Sequence, residues 1–353
     1  MGLQVADLPE QVLRRLRAGT VIPAHPLALD AERRFDVRRQ RALTRYYLDA
    51  GAGGLAVGVH ATQFAIREAG LYEPVLRTAA ETAADWSDDE PILIAGLAGP
   101  TAQAVAEAET ARGLGYHAGL LSLAAFATAS DDDLIAHCRA VAAEIPLIGF
   151  YLQPAVGGRV LSTTFWRRFA AIENVVAIKV APFNRYRTLD VVDGVVAAAA
   201  EERVTLYTGN DDHIVLDLVT PFAAVRDGVE VRVRFRGGLL GHWSVWVSGA
   251  VALLERIHAA VAAGRVTEDL LAADSRVTAA NRAVFDVAND FAGCIPGCHE
   301  VLRRQGLLTG TWCLDPDERL SPGQAEAIDR VYRDFPDLTD DAFVAENLDR
   351  WLA

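Results

Sequence analysis

The feature that most constrains this chain is a rhythm. Short apolar runs rich in Val, Ile, Leu and Gly begin near Thr20, Gly54, Ile92, Gly119, Leu147, Val175, Val204 and Val231, at intervals of 34, 38, 27, 28, 28, 29 and 27 residues. Amphipathic stretches such as Thr101 to Arg112, Asp131 to Glu144 and Thr188 to Glu201 fill the intervals. Strands that read as continuous apolar runs suit a parallel sheet covered on both faces. Eight such βα units predict an α/β fold, a (β/α)8 TIM barrel, over residues 20–265. A lead-in helix is expected within residues 1–19, with Asp7 as its N-cap and Gly19 just past its end. From about Val266 the strand signal stops. Residues 266–353 read as a helical extension packed on the barrel, with helices expected over Asp274 to Phe291, Cys298 to Arg304, Ser321 to Tyr332 and Asp340 to Trp351.

Composition narrows the function. The 353 residues carry 34 Lys+Arg against 47 Asp+Glu, a formal net charge of -13, which opposes recognition of nucleic acid or an anionic membrane surface. The start of the chain lacks the order of a secretion signal and no long apolar span is evident, so a cytoplasmic address is expected. Four scattered cysteines make no disulfide framework.

Of the 34 basic residues only one is lysine, Lys179. Arginine replaces lysine freely wherever a solvated charge is enough, but a guanidinium cannot lose its proton and attack. A lone lysine therefore marks a place where an amine is needed. Lys179 lies in the apolar run Val175-Val176-Ala177-Ile178-Lys179-Val180, where alternation puts Val175, Ala177 and Lys179 on one face. Desolvation there lowers the lysine pKa and raises the fraction of free amine, which points to a Schiff-base nucleophile. The fifth run ends in Tyr151-Leu152-Gln153-Pro154. If the face shared by Leu147, Gly149 and Tyr151 points inward, the phenol approaches the amine as a proton relay.

Tyr151-x-x-Pro154, followed 28 residues after the tyrosine by Ile178-Lys179, resembles the dihydrodipicolinate synthase / N-acetylneuraminate lyase superfamily of class I aldolases. The glycine-rich turn Ala95 to Gly99, Gly209-Asn210-Asp211-Asp212 and Gly237 to Ser244 extend the resemblance, which covers about residues 18 to 260. It implies a barrel lyase whose lysine forms an imine with a 2-oxo acid, usually pyruvate, with tyrosine as relay and no separate cofactor. It also implies a homo-oligomer, tetramer or dimer. The expected catalytic residues are Lys179 and Tyr151; Gly58, His60, Thr62, Gly209, Gly238 and His242 are expected to shape the substrate pocket.

The departures from the family pattern matter as much. Where members carry Gly-Thr-Thr-Gly-Glu, this chain has Gly58-Val59-His60-Ala61-Thr62, so carboxylate recognition is altered. The synthase loop tyrosine falls near Ala125-Phe126, and its aldehyde-contacting arginine aligns with Val156, with Arg159 out of register. Lysine biosynthesis is therefore not the expected role. Gly237, Gly238 and Gly241 read as a tight turn or a phosphate cradle, and Asp211 and Asp212 as helix caps. None of the eight histidines forms a His-x-His or His-Glu-x-x-His pattern, and Cys294, Cys298 and His299 read as a buried group, so no metal site is expected. Two other readings stay open: a barrel that has lost catalysis and serves as a ligand-binding or assembly protein, and a metal-dependent lyase or epimerase using His25, His60 or His242.

Overall fold

The first seven apolar runs fold as expected, into parallel strands whose side chains are buried on both faces. In the computed structural model, which describes residues 2–353, these are β1 (Val21–Pro23), β2 (Gly54–Val57), β3 (Ile92–Leu97), β4 (Ala118–Leu121), β5 (Leu147–Leu152), β6 (Val175–Ala181) and β7 (Thr205–Thr208). The eighth run departs from expectation. Val231 lies in a two-stranded antiparallel hairpin, β8 (Phe222–Arg226) and β9 (Val229–Val233), and the last barrel strand is β10 (Phe235–Leu240). The alternating Val-Glu-Val-Arg-Val of β9 suits a sheet with one wet face. Asp227 and Gly228, both at positive φ (53° and 79°), make the tight turn that two-residue hairpins favour.

The eight parallel strands pair in the order β1-β10-β7-β6-β5-β4-β3-β2. The two ends meet through a parallel bridge, Ala24 to Ala56, supported by His25 N–H to Ala56 C=O at 2.8 Å and Gly53 N–H to Val21 C=O at 3.1 Å. The chain is a TIM barrel.

Two cores result. Inside the barrel, Ile22, Ala56, Ile94, Leu120, Ile148, Phe150, Ala177 and Leu239 pack together, joined from below by Val12 and Leu16 of the lead-in helix. That helix spans Glu10–Ala18 and ends at Gly19, φ 90°. Pro9, not Asp7, holds the N-cap position; Asp7 instead accepts the Gln4 N–H at 2.9 Å. With Tyr207 donating its phenol to Leu16 C=O at 2.8 Å, the helix plugs the amino end of the barrel and leaves the carboxyl end for chemistry. The second core lies between strands and helices and continues into the C-terminal helices Glu268–Val284, Cys294–Arg304, Gln324–Asp334 and Asp341–Leu352.

Those helices are bound to the barrel by large buried side chains. Trp351 is fully buried and packs on Tyr46 of helix Val37–Asp49, ring centroids 5.4 Å apart, and Tyr46 donates to Asp340 at 2.8 Å. No helix among the described residues is long and apolar enough to cross a membrane. Trp351→Ala removes a filled core site and is expected to cost about 3–5 kcal/mol, the usual penalty for truncating a buried tryptophan. Urea unfolding of the full chain measures it.

Candidate active site

The carboxyl ends of the strands converge on a cavity of about 80 Å³ lined by Ala24, Val59, His60, Ala61, Phe150, Leu152, Gln153, Val156, Lys179, Ala181, Phe183, Gly209, Asp211 and Gly241 from the barrel, and by Phe285, Phe291 and Cys294 from the C-terminal extension. One water needs about 10–15 Å³ of such space, so this chamber suits a molecule of a few heavy atoms. A wider outer cavity of about 390 Å³ shares Gln153, Phe183, Asp211, Phe285 and Phe291 with it and adds Asp212, Thr278, Asn281 and Arg282. The outer chamber is therefore walled largely by the extension.

Lys179 sits on the inner face of β6. A bulge places Ala177, rather than Val176, opposite Ile148, so Ala177, Lys179 and Ala181 face inward while Val175 turns to the helices, contrary to simple alternation. The stem needs the space that Gly209 leaves: a Cβ there would lie 2.8 Å from Lys179 Cε and 2.7 Å from Ala181 Cβ. Lys179 is 8% exposed, makes no hydrogen bond or ion pair among the described residues, and holds its Nζ 4.5 Å from the Phe150 ring centroid. Burial lowers its pKa, partly opposed by the negative charge of Asp211.

Asp211 is buried in the same cavity, and its Oδ1 accepts the His242 backbone N–H at 2.9 Å. Burial raises its pKa, against the pull of that hydrogen bond and of Lys179. The expectation that Asp211 and Asp212 cap a helix fails: the following helix, Ile214–Val219, has His213 at its N-cap position and no capping side chain. The loop is fixed instead by Asn210, whose Oδ1 accepts the Phe183 N–H at 3.0 Å and whose Nδ2 donates to fully buried Asp217 at 2.9 Å. His60 lines the cavity and its pKa is pushed down to about 4 by burial and by the Lys179 charge.

Other expected residues sit elsewhere. Tyr151 faces the helix layer: its ring lies 5.2 Å from Trp166, and its hydroxyl donates to Leu161 C=O at 3.3 Å and accepts the Leu161 N–H at 3.2 Å. The residue paired with Lys179 across the sheet is Phe150. The parity that puts Phe150 into the barrel turns the phenol out of it, so Tyr151 cannot relay a proton to this amine. Thr62 is consumed by its own loop, accepting the Gly58 N–H at 2.9 Å and donating to His25 C=O at 2.6 Å. Gly58 supplies the turn at φ 76°. Gly238 makes room for Trp243, 2.6 Å from where its Cβ would stand, and only Gly241 of the glycine turn reaches the cavity. His242 acts through its backbone, on Asp211.

His25 is spent in the core, its ring nitrogens meeting Thr44 at 2.9 Å, and Pro26 C=O and Gln40 Nε2 at 3.0 and 2.9 Å. His25, His60 and His242 therefore do not converge, and no group of three or more His, Cys, Asp or Glu is placed to hold a metal among the described residues. Arg159 ties down the loop after β4 by donating to Phe126 and Ala129 carbonyls. Phe285, Phe291 and Cys294 were not expected in the site; a helix far along the chain gives no sequence sign that it roofs a barrel.

The chain is thus a TIM barrel with a buried lysine at the carboxyl end of its sixth parallel strand. The sequence model described as "Dihydrodipicolinate synthetase family" matches residues 17–222, and the chain belongs to that family. No curated protein matches its sequence. Among solved structures it is similar to a dihydrodipicolinate synthase from Acinetobacter baumannii complexed with pyruvate (18% identical, TM-score 0.72, covering 90% of this chain and 98% of that one). It is also similar to CdNal from Clostridium difficile in complex with mannosamine (16%, 0.70, 90% and 99%), and to a monomeric dihydrodipicolinate synthase variant (17%, 0.70, 90% and 97%).

Two substitutions test this arrangement. Gly209→Ala forces the lysine stem aside and is expected to slow modification of Lys179 by small carbonyl compounds at least tenfold, read by intact mass after borohydride. Tyr151→Phe is expected to cost about 1 kcal/mol, the net worth of a hydrogen bond, and to leave that modification within about twofold. Urea unfolding and the same mass assay check both.

Proposed function

We propose that this protein is a lyase, an aldolase or hydro-lyase that forms a Schiff base between Lys179 and a small 2-oxo acid or sugar-derived acid, with no separate cofactor. The observation that carries this reading is an amine without an ion-pair partner, desolvated at the carboxyl mouth of the barrel and open to a cavity of about 80 Å³. An ammonium in that place loses part of its hydration and no carboxylate within ion-pair distance repays it, so the fraction of free amine able to add to a carbonyl carbon is raised. Family membership supports the lyase class.

The inner chamber suits the oxo end of the substrate and the outer chamber the remainder. The usual threonine hydroxyls for an oxo-acid carboxylate are replaced by Val59 and His60, and Thr62 is occupied by its own loop. Carboxylate binding falls to the backbone around Val59 and Ala61 and to the His60 ring. This supports a substrate preference different from that of a synthase of lysine biosynthesis. A homo-oligomer in the cytoplasm fits the family pattern, although a monomeric variant exists among similar structures.

Borohydride reduction in the presence of pyruvate or 2-oxobutanoate is expected to leave a mass adduct on Lys179, mapped by peptide digestion. Lys179→Arg is expected to abolish both adduct and turnover while the protein stays folded, because arginine keeps charge and stem but cannot form the imine. The sign of the pH dependence follows from burial. Only the free amine attacks, so adduct formation rises with pH, and because the lysine is shifted downward it levels off well below the ordinary lysine value of about 10.4. A wild-type protein that gives no adduct with either acid removes the reading.

A further inference from the structure

We propose that Asp211 is the catalytic acid and base of this site, doing at Lys179 the proton transfers for which no phenol is present. The inference rests on the Schiff-base reading above and asks which group moves protons once the amine has a carbonyl partner.

The cavity narrows the choice. Its titratable side chains are His60, Lys179, Asp211 and Cys294. Phe150 stands where a relay would face the amine, with its ring 4.5 Å from Nζ, and Tyr151 is tied to Leu161 on the other side of the sheet. The Cys294 thiol is pushed up by burial and by Asp211, so it gives up its proton poorly. His60, held down to about 4, can accept a proton but does not carry one to give at neutral pH.

Asp211 can do both. One oxygen, Oδ1, is pinned by the His242 N–H at 2.9 Å, which fixes the carboxyl plane. The Gly241 backbone N–H also favours the charged form of this carboxyl, and Oδ2 passes 3.8 Å from where a Gly241 Cβ would stand, so a side chain at 241 would crowd it. The charges facing this carboxyl are Lys179 from β6 and Asp212 from its own loop. Burial pushes the carboxyl up and the amine down, the arrangement that separates acid and base roles in other sites.

The steps balance. The Lys179 amine adds to the carbonyl carbon and a carbinolamine forms; protonated Asp211 gives its proton to the departing hydroxyl, which leaves as water, and an iminium and a carboxylate remain. The carboxylate then takes a proton from C3. The C–H electron pair becomes the C2–C3 double bond, the C=N pair moves to nitrogen, and the enamine and the neutral acid result.

The test uses the whole protein with pyruvate, or with 2-oxobutanoate where pyruvate gives no adduct. Two quantities are read: the borohydride adduct on Lys179, and loss of the C3 proton signal in D2O by NMR. Asp211→Asn keeps the shape and an oxygen for His242. It is expected to slow adduct formation at least tenfold and, per adduct finally formed, to slow C3 exchange by about 10²-fold or more, the usual worth of a positioned acid–base group. Exchange per adduct within threefold of wild type overturns the proposal and leaves Lys179 in place. Adduct formation at the wild-type rate also overturns it, since loss of water from the carbinolamine would then need no proton from Asp211. Asp211→Ala gives an independent reading, in which added formate restores exchange tenfold or more if a carboxyl is what is missing; no restoration counts against the proposal. A wild type with no adduct from either acid instead removes the Schiff-base reading beneath it.

Discussion

The amine of Lys179 is buried without an ion pair, and much of the molecule follows from making that tolerable and useful. An isolated ammonium in an apolar setting costs several kcal/mol, so the protein must either pair it, expose it or let it lose its proton. Here the carboxyl of Asp211 shares the cavity yet makes no ion pair with it, which leaves attraction without locking the nitrogen into a salt bridge. A bridge would stabilise the charged form and remove the nucleophile. Separation by more than an ion-pair distance keeps both groups close to the point where either can change its protonation state.

That separation is held by backbone groups and by a buried side-chain clamp. Gly209 gives the stem its channel, His242 contributes an N–H instead of its ring, and Asn210 clamps the loop between Phe183 and Asp217. Asp217 is itself fully buried and is met by Arg185, Thr208 and Asn210. A satisfied buried network of this kind resists rearrangement because any broken link strands a polar group away from water. The result is a rigid floor at the carboxyl end of β7, the place where a barrel can hold a reacting group to a fraction of an ångström.

Much of this was legible in the sequence. Seven of the eight apolar runs at regular intervals carry barrel strands, and a single lysine among 34 basic residues marks the site, because both are properties of residue type and spacing. What could not be read depends on parity and on distant chain. A one-residue bulge at Val176 turns Val175 to the helices while Ala177 stays inside the barrel, and parity on β5 separates Phe150 in the pocket from Tyr151 behind it. A motif of the form Tyr-x-x-Pro matches a family by spacing but says nothing of which side of the sheet its phenol occupies. The hairpin was in principle readable, since Asp227-Gly228 between alternating residues is a strong turn signal, but its valines imitate a barrel strand in a count of apolar runs.

The roof of the site shows why the substrate is harder to infer than the chemistry. Phe285, Phe291 and Cys294 come from the extension that follows the barrel, and the Phe183 and Phe291 rings meet edge to face at 5.9 Å where the inner and outer chambers join. Phe183 and Phe291 both adopt positive φ (49° and 68°), a conformation that costs a bulky residue energy and persists only where surrounding contacts enforce it. The barrel fixes an amine at the carboxyl end of β6, whereas the width of the opening above it is set largely by aromatic side chains of the extension. The shape of the opening therefore lies largely in the extension, and two barrels with the same lysine can differ there without any change to the strands that hold it.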